Sequence, residues 1–156
     1  MSGQSSTGKT LLKWLLAVGI LIGGPIFVSS DRVLTWIFDQ AWRDQWTRAP
    51  EVTYDCAQYL RWTARTERAA EVYEALVERW PEHSLVPDAA YYVGVSLRDV
   101  ADELAKEARG DPEKIAKKLA LREEAMQWFA WMGSTYPAHD KASVARRAAQ
   151  EMNLGY

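Results

Sequence analysis

Residues 50–156 contain an internal repeat, and this restricts the fold more than any other feature of the chain. Every long segment in this region has a hydrophobic period near 3.6 residues, which is typical of helices, and none alternates as a strand would. Residues of the first segment recur 37 positions later, and residues of the second recur 56 positions later. The pattern predicts an all-α domain of five helices, over residues 51–64, 67–80, 85–109, 112–136 and 140–152.

The repeated residues describe a unit of two helices. The first helix has a small residue on its packing face, and the second carries alanine and an aromatic residue before it ends in aromatic–proline. Small residues allow the helices to cross closely, the aromatic side chain fills the space beside them, and proline stops the helix. The matched sets are Glu51, Tyr54, Ala57, Leu60 and Arg61 with Asp88, Tyr91, Gly94, Leu97 and Arg98, and Ala69, Tyr73, Leu76, Trp80, Pro81 and His83 with Ala125, Phe129, Met132, Tyr136, Pro137 and His139.

Capping chemistry predicts two of the helix starts. Asp111 before Pro112 offers an N-cap carboxylate and a proline at the first helical position. Asp140 offers a similar cap for the last predicted helix. His83 and His139 occupy the same position after the proline of each unit, which favours a role in the turn over metal binding or catalysis.

The repeat resembles the tetratricopeptide (TPR) superfamily, whose helical hairpins stack into a solenoid. The stretch WPEHSLVPDAAYYVG, residues 80–94, is similar to the bacterial envelope branch of that family. The resemblance covers roughly residues 50–153. Thr53 stands where the family often has tryptophan, Leu76 and Met132 stand where alanine is usual, and the second unit is about 19 residues longer than the first.

The resemblance implies a partner-binding groove lined by the first helix of each repeat. Recurring tyrosine and arginine side chains in such a groove suit a peptide held through its carboxylates and backbone carbonyls. Alternatively, the tyrosines pack between hairpins and the arginines form surface ion pairs worth under about 1 kcal/mol. The residues placed in this groove are Glu51, Tyr54, Gln58 and Arg61 from the first unit, and Asp88, Tyr91, Val95 and Arg98 from the second.

Residues 11–30 form an apolar run that follows a polar tail of residues 1–10. Lys13 is the only charge in the run, and a helix of this length spans roughly 30 Å, so a single transmembrane helix is predicted. A cleavable signal peptide ending before Asp31 is the alternative. Gly19 and Gly23 form a GxxxG pair with Gly24 beside it, which favours close packing against another transmembrane helix, although glycine is common in membrane helices.

Residues 31–49 predict an amphipathic, tryptophan-rich helix or linker at the membrane surface. Trp14, Trp36, Trp42 and Trp46 are the predicted interface residues, because indole rings favour the headgroup region. The alternative is that these rings pack onto the helical domain or a partner. The short basic tail favours a bacterial inner-membrane protein with a cytoplasmic N-terminus and a periplasmic domain.

Several functional classes are disfavoured by composition. A net charge of −2 lacks the basic surplus of a non-specific nucleic-acid binder. Residues 3–10 match the phosphate-loop pattern GxxxxGK[ST], but no strand precedes them, so nucleotide binding is not expected. One cysteine and two histidines disfavour a tetrahedral structural zinc site, and no catalytic set is recognised. We therefore expect no cofactor and no enzymatic activity.

These features predict a non-catalytic accessory or scaffold subunit of a respiratory, photosynthetic, secretory or envelope membrane complex. Its partners would be other membrane-protein subunits and the lipid bilayer. The alternative is a membrane-tethered peptide-binding adaptor or periplasmic chaperone, which would bind a peptide segment of its partner. Trp128, Phe129 and Trp131 lie on more than one side of a predicted helix, so either this domain or another protein must cover them.

Overall fold

A computed structural model describes residues 47–108 and 110–154, and within these ranges the chain is all-α with no strand. The prediction of five helices is confirmed, and the observed helix ends differ from the predicted ones by at most two residues. The helices are α1 (Ala49–Trp62), α2 (Thr66–Arg79), α3 (Val86–Glu107), α4 (Pro112–Thr135) and α5 (Ala142–Asn153). Each packs against the next along the chain, so α1 with α2 and α3 with α4 form two successive hairpins.

Several of the residues that the repeat aligns lie in the core. Tyr73 of α2 and the matching Phe129 of α4 are both fully buried, as are Ala57 and Gly94 on the first helices of the two hairpins. A Cβ on Gly94 would lie 2.9 Å from the ring carbons of Phe129. The absent side chain of Gly94 therefore lets the Phe129 ring approach the α3 backbone.

The same turn follows each hairpin. In the first, the backbone N–H of His83 donates to the Trp80 carbonyl at 2.9 Å, and His83 Nδ1 accepts from the N–H of Leu85 at 3.3 Å. In the second, the His139 N–H donates to the Tyr136 carbonyl at 3.0 Å, and His139 Nδ1 accepts from the N–H of Lys141 at 3.3 Å. Both histidines thus hold backbone groups in the turn before the next helix.

The two predicted caps differ in outcome. Asp111 is the N-cap of α4, and its carboxylate accepts from the N–H groups of Glu113 and Lys114 at 3.0 and 3.4 Å. Asp140 does not cap α5, because the helix begins at Ala142 and the Asp140 carboxylate lies 3.0 Å from His139 Nδ1 instead. The repeated turn requires two residues between the histidine and the helix, which moves the helix start beyond Asp140.

Helix α1 ends in a Schellman cap whose left-handed residue is alanine. The N–H of Arg65 donates to the Leu60 carbonyl at 2.9 Å, and the N–H of Ala64 donates to the Arg61 carbonyl at 3.1 Å. Ala64 has a φ of 60°, a conformation in which the Cβ clashes with the backbone and which glycine adopts more readily. The turn between α1 and α2 therefore carries local strain.

The predicted membrane and interface segments lie outside the described residues. This applies to the polar tail over residues 1–10, the span over residues 11–30 with Gly19, Gly23 and Gly24, and the predicted interface residues Trp14, Trp36, Trp42 and Trp46. Among the helices of residues 47–108 and 110–154, none has the length and apolar character needed to cross a membrane.

Gly94→Ala is expected to destabilise the domain by about 1–3 kcal/mol, since the added methyl group overpacks a buried contact. Urea unfolding of the full-length chain, followed by far-UV circular dichroism, measures the change. Phe129→Leu alone leaves a cavity and lowers the free energy of unfolding. In the Gly94→Ala background the same substitution should lower it less, because the smaller side chain makes room for the methyl group. Strictly additive effects of the two substitutions would contradict this packing.

Ala64→Gly is expected to stabilise the domain by about 0.5–1 kcal/mol, because relief of the left-handed strain exceeds the added backbone entropy of the unfolded chain. The midpoint of thermal unfolding should rise accordingly. Ala120→Gly, in the exposed middle of α4, is the matched control and should lower stability by about 1 kcal/mol. A loss of stability in both variants would show that the α1 cap is not strained.

Candidate functional site

Three tyrosines from successive helices form a cluster: Tyr54 of α1, the fully buried Tyr73 of α2 and Tyr92 of α3. The Tyr54 ring meets the Tyr73 ring edge-on, with centroids 5.6 Å apart, and the Tyr92 ring at 6.4 Å. Tyr73 and Tyr92 are stacked at 5.6 Å. The predicted groove residue Tyr54 therefore packs between the hairpins, and its hydroxyl accepts a hydrogen bond of 3.0 Å from Gln58 Nε2.

Two cations lie against Tyr92. The guanidinium carbon of Arg61 is 5.0 Å from the ring centroid, and Lys141 Nζ is 5.7 Å from it. Each cation also has an acidic partner: Arg61 lies 3.7 Å from Asp99, and Lys141 pairs with Asp88. Hydrogen bonding to Asp88 raises the pKa of Lys141. The face thus balances most of its own charge.

The two predicted acidic groove residues occupy equivalent places. Glu51 Oε1 lies 3.9 Å from Nε2 of His83, and Asp88 Oδ2 lies 3.8 Å from Nε2 of His139. Each acid of the first helix therefore faces the turn histidine at the end of its own hairpin. Asp88 also pairs with Lys141, whereas the second carboxylate oxygen of Glu51 is buried and has no hydrogen-bond partner among the described residues.

The remaining predicted residues of the second unit are spread over α3. Tyr91 lies between Tyr92 and Phe129, with ring centroids 5.4 and 5.7 Å away. Val95 is only 6% exposed and offers no surface to a ligand. Arg98 lies 3.5 Å from Asp99 and 6.0 Å from the Phe129 ring centroid. The structure therefore gathers Tyr54, Arg61 and Asp88, while Val95 belongs to the core.

Sequence reasoning missed Tyr92 and the position of Tyr73 beside it. Tyr54 recurs 37 positions later as Tyr91, so the repeat predicts Tyr91 as the groove residue. Tyr92 lies one position beyond this match and was therefore not selected. The Tyr73 hydroxyl is buried and has no hydrogen-bond partner among residues 47–108 and 110–154. Burial raises the pKa of Tyr73 far above its usual value, so the hydroxyl stays protonated.

A second surface, which the sequence did not predict, lies between α2 and α4. Lys117 Nζ pairs with Glu67 Oε1 at 3.0 Å, so residues 50 positions apart face each other across these helices. Two helical turns further along, the same spacing brings Glu74 to Glu124, and both line one groove. Glu74 and Glu124 therefore place two negative charges opposite each other, whereas the equivalent pair two turns earlier, Glu67 and Lys117, has opposite charges.

The groove between α2 and α4 is open, with a volume of about 400 Å³. On its α4 side, the rings of Trp128 and Trp131 are nearly perpendicular, at 88°, with centroids 5.6 Å apart. Trp131 also meets Tyr136 edge-on, and it is 38% exposed. The residues that line this groove are Glu74, Val77, Glu124, Gln127, Trp128 and Trp131; we call it the α2–α4 groove.

The α2–α4 groove is electrostatically negative. Partial burial raises the pKa of Glu74, and the negative charges of Glu124, Glu78 and Glu71 raise it further. Glu67, Glu71, Glu74 and Glu78 follow one face of α2 at helical spacing. Within the described part of the chain, no ion pair neutralises Glu74 or Glu124.

Metal and thiol chemistry find little support in the described residues. No group of three histidine, cysteine, aspartate or glutamate side chains there could hold a metal ion. Cys56 is half-buried, and burial raises the pKa of its thiol, which reduces the reactive thiolate fraction.

Comparison with protein-family models, with curated proteins and with solved structures finds no match.

Glu74→Gln is expected to stabilise the fold at pH 7 by less than about 1 kcal/mol, since solvent screens a partly exposed carboxylate. Folding raises the pKa of this carboxyl, so its charged form opposes folding above the folded-state pKa. The penalty disappears below the unfolded-state pKa of 4.5. Thermal unfolding should therefore show the gain at neutral pH and lose it near pH 3.5 or so.

Glu123→Gln is the control for this measurement. Glu123 is exposed on α4 and does not line the α2–α4 groove. Its substitution should leave stability within about 0.5 kcal/mol of the parent at both pH values. An equal gain from Glu123→Gln would mean that net charge, rather than the groove, sets the effect.

Proposed function

We propose that this chain is a non-catalytic accessory or scaffold subunit of a membrane-embedded protein complex. A transmembrane helix over residues 11–30 anchors it, and a TPR-like domain over residues 50–156 binds partner subunits. The complex belongs to the respiratory, photosynthetic, secretory or envelope class. The subunit resides in a bacterial inner membrane, with its N-terminus cytoplasmic and its helical domain periplasmic.

The observation that carries this proposal is the α2–α4 groove. A folded domain that only had to remain stable would gain from filling the groove and neutralising Glu74 and Glu124. Instead, two indole rings lie beside two carboxylates that form no ion pair within the described residues. Exposed aromatic surface next to uncompensated charge is typical of a protein-binding site.

The repeated hairpin supports the TPR-like part of the proposal. Equivalent residues of the two hairpins are buried alike, and equivalent acids face equivalent histidines. Helical hairpins that repeat in this way form extended surfaces for protein partners. The GxxxG spacing of Gly19 and Gly23 supports a second contact, with a transmembrane helix of the same complex.

The test is purification of the tagged full-length chain in mild detergent, with mass spectrometry of the proteins that remain attached. We expect one set of membrane subunits in fixed stoichiometry. Gly19→Leu or Gly23→Leu should release them, because a large side chain prevents close helix packing. Ala17→Leu makes a similar change on the other side of an ideal helix and should retain them. A solitary chain in detergent, or turnover of a substrate, would refute the proposal.

A membrane-tethered peptide-binding adaptor or periplasmic chaperone is the second candidate. The cluster of Tyr54, Tyr73 and Tyr92 favours it, because the buried Tyr73 hydroxyl has no hydrogen-bond partner among the described residues and Arg61 lies on the neighbouring Tyr92 ring. Such an adaptor would exchange its partners and lose them on Arg61→Ala or Arg98→Ala. A scaffold subunit would keep its partners at fixed stoichiometry in both variants.

A further inference from the structure

We propose that the α2–α4 groove binds arginine side chains from a basic segment of a partner protein. The inference rests on the proposed role as a binding subunit and names the surface and the chemistry of the partner segment. The guanidinium group would lie between Glu74 and Glu124 and against the rings of Trp128 and Trp131.

The charges of α2 and α4 indicate a missing cation. Where the two helices first face each other, Lys117 neutralises Glu67 at 3.0 Å. At the next equivalent position, Glu124 stands where a cation would complete the pattern, opposite Glu74. Two nearby carboxylates without a counter-charge repel each other, and a ligand cation removes that repulsion.

The aromatic residues favour a delocalised cation over a metal ion. The nearly perpendicular rings of Trp128 and Trp131 supply a π face and a ring edge in one groove. Tryptophan is the best cation–π partner, and arginine both stacks on its ring and donates to carboxylates in a planar fork. Val77 gives the groove an apolar wall suited to the methylene stem of the side chain.

The length of the acidic surface favours a polypeptide as the source of the arginine. Besides Glu74, the glutamates at positions 67, 71 and 78 continue along the same face of α2. Glu67 pairs with Lys117 and Glu71 pairs with Arg68, whereas Glu74 and Glu78 form no ion pair within the described residues. A segment with more than one basic residue lying along α2 would meet both of these glutamates, whereas a single small cation would use one position only. The groove is open, and its volume of about 400 Å³ lies within the range of sites that hold small ligands or side chains.

The test uses the full-length chain in mild detergent and a capped, fluorescent peptide in which arginine alternates with glycine and serine. Fluorescence polarisation measures its affinity. A twin peptide with citrulline in place of arginine has nearly the same shape without the charge. We expect the citrulline peptide to bind at least about fivefold more weakly, because it lacks the charge-assisted and cation–π contacts.

Substitutions in the groove identify where the peptide binds. Glu74→Gln, Glu124→Gln and Trp128→Leu should each weaken binding of the arginine peptide by roughly fivefold or more. Glu74→Gln is expected to stabilise the fold, so loss of binding in this variant does not arise from unfolding. Indole N–H resonances assigned to Trp128 and Trp131 should shift when the arginine peptide is added and not with the citrulline peptide.

Two matched controls test the location. Glu123→Gln removes the same charge from α4 outside the groove, and Trp62→Phe alters an indole that is 82% exposed on α1. Both should leave the affinity unchanged within twofold or so. Equal binding of the two peptides, or equal weakening by Glu123→Gln and Glu74→Gln, would overturn the proposal.

Two further outcomes would assign the groove to another occupant and so overturn the proposal. One is a dimer of the full-length chain, seen by sedimentation in detergent, that dissociates on Trp128→Leu. The other is a shift of the Trp128 and Trp131 resonances by phosphatidylcholine vesicles without any shift by the arginine peptide. If the peptide fails to bind but partner subunits still co-purify, only this inference is wrong, whereas a solitary chain contradicts the proposed function itself.

Discussion

The close approach of α3 and α4 at Gly94 supports much of the remaining architecture. Because Gly94 has no side chain, the fully buried ring of Phe129 lies against the α3 backbone. The ring fixes the facing side of α4, and α5 then packs on α4 after the turn at His139. Filling the core with Phe129 leaves Trp128 and Trp131, its neighbours on the helix, directed to the α2–α4 groove. The core contact therefore determines which aromatic residues remain available to a partner.

The two candidate surfaces differ in how their charges are balanced. On the α1–α3 face, Arg61 meets Asp99 and Lys141 meets Asp88, so a ligand must displace contacts that already exist. In the α2–α4 groove, Glu74 and Glu124 have no cation beside them in the described ranges, and a cationic ligand would meet an unpaired charge. Displacing an ion pair costs free energy that binding must recover, whereas neutralising repelling carboxylates adds to binding. This difference is why we assign the partner contact to the groove rather than to the predicted tyrosine–arginine face.

The sequence predicted the helices well because their signals are local. Hydrophobic period, prolines and the Asp111 cap are read within a few residues, and all five helices were placed within two residues of their ends. The error at Asp140 arose where two local signals compete, since the histidine turn sets the start of α5 and leaves no cap for the aspartate. The sites were harder to predict because they depend on how helices face each other. Tyr92 lies out of register with the repeat, and the groove depends on which residues of α2 meet α4, which the offset between repeats does not give.

The row of glutamates on α2 is the sequence feature from which the α2–α4 groove could have been predicted. Residues 67, 71, 74 and 78 share one helix face, a pattern visible in the sequence but usual for a solvated surface. The row becomes informative only beside α4, where Glu67 pairs with Lys117 but Glu74, two helical turns further along, lies opposite Glu124. A row of charges on one helix therefore does not by itself indicate a binding site. Like charges that face each other across two helices do have an energetic effect, because they repel. Two facing carboxylates lower the stability of the fold locally. A protein is expected to keep such an unfavourable pair beside exposed indole rings where the residues serve binding rather than folding.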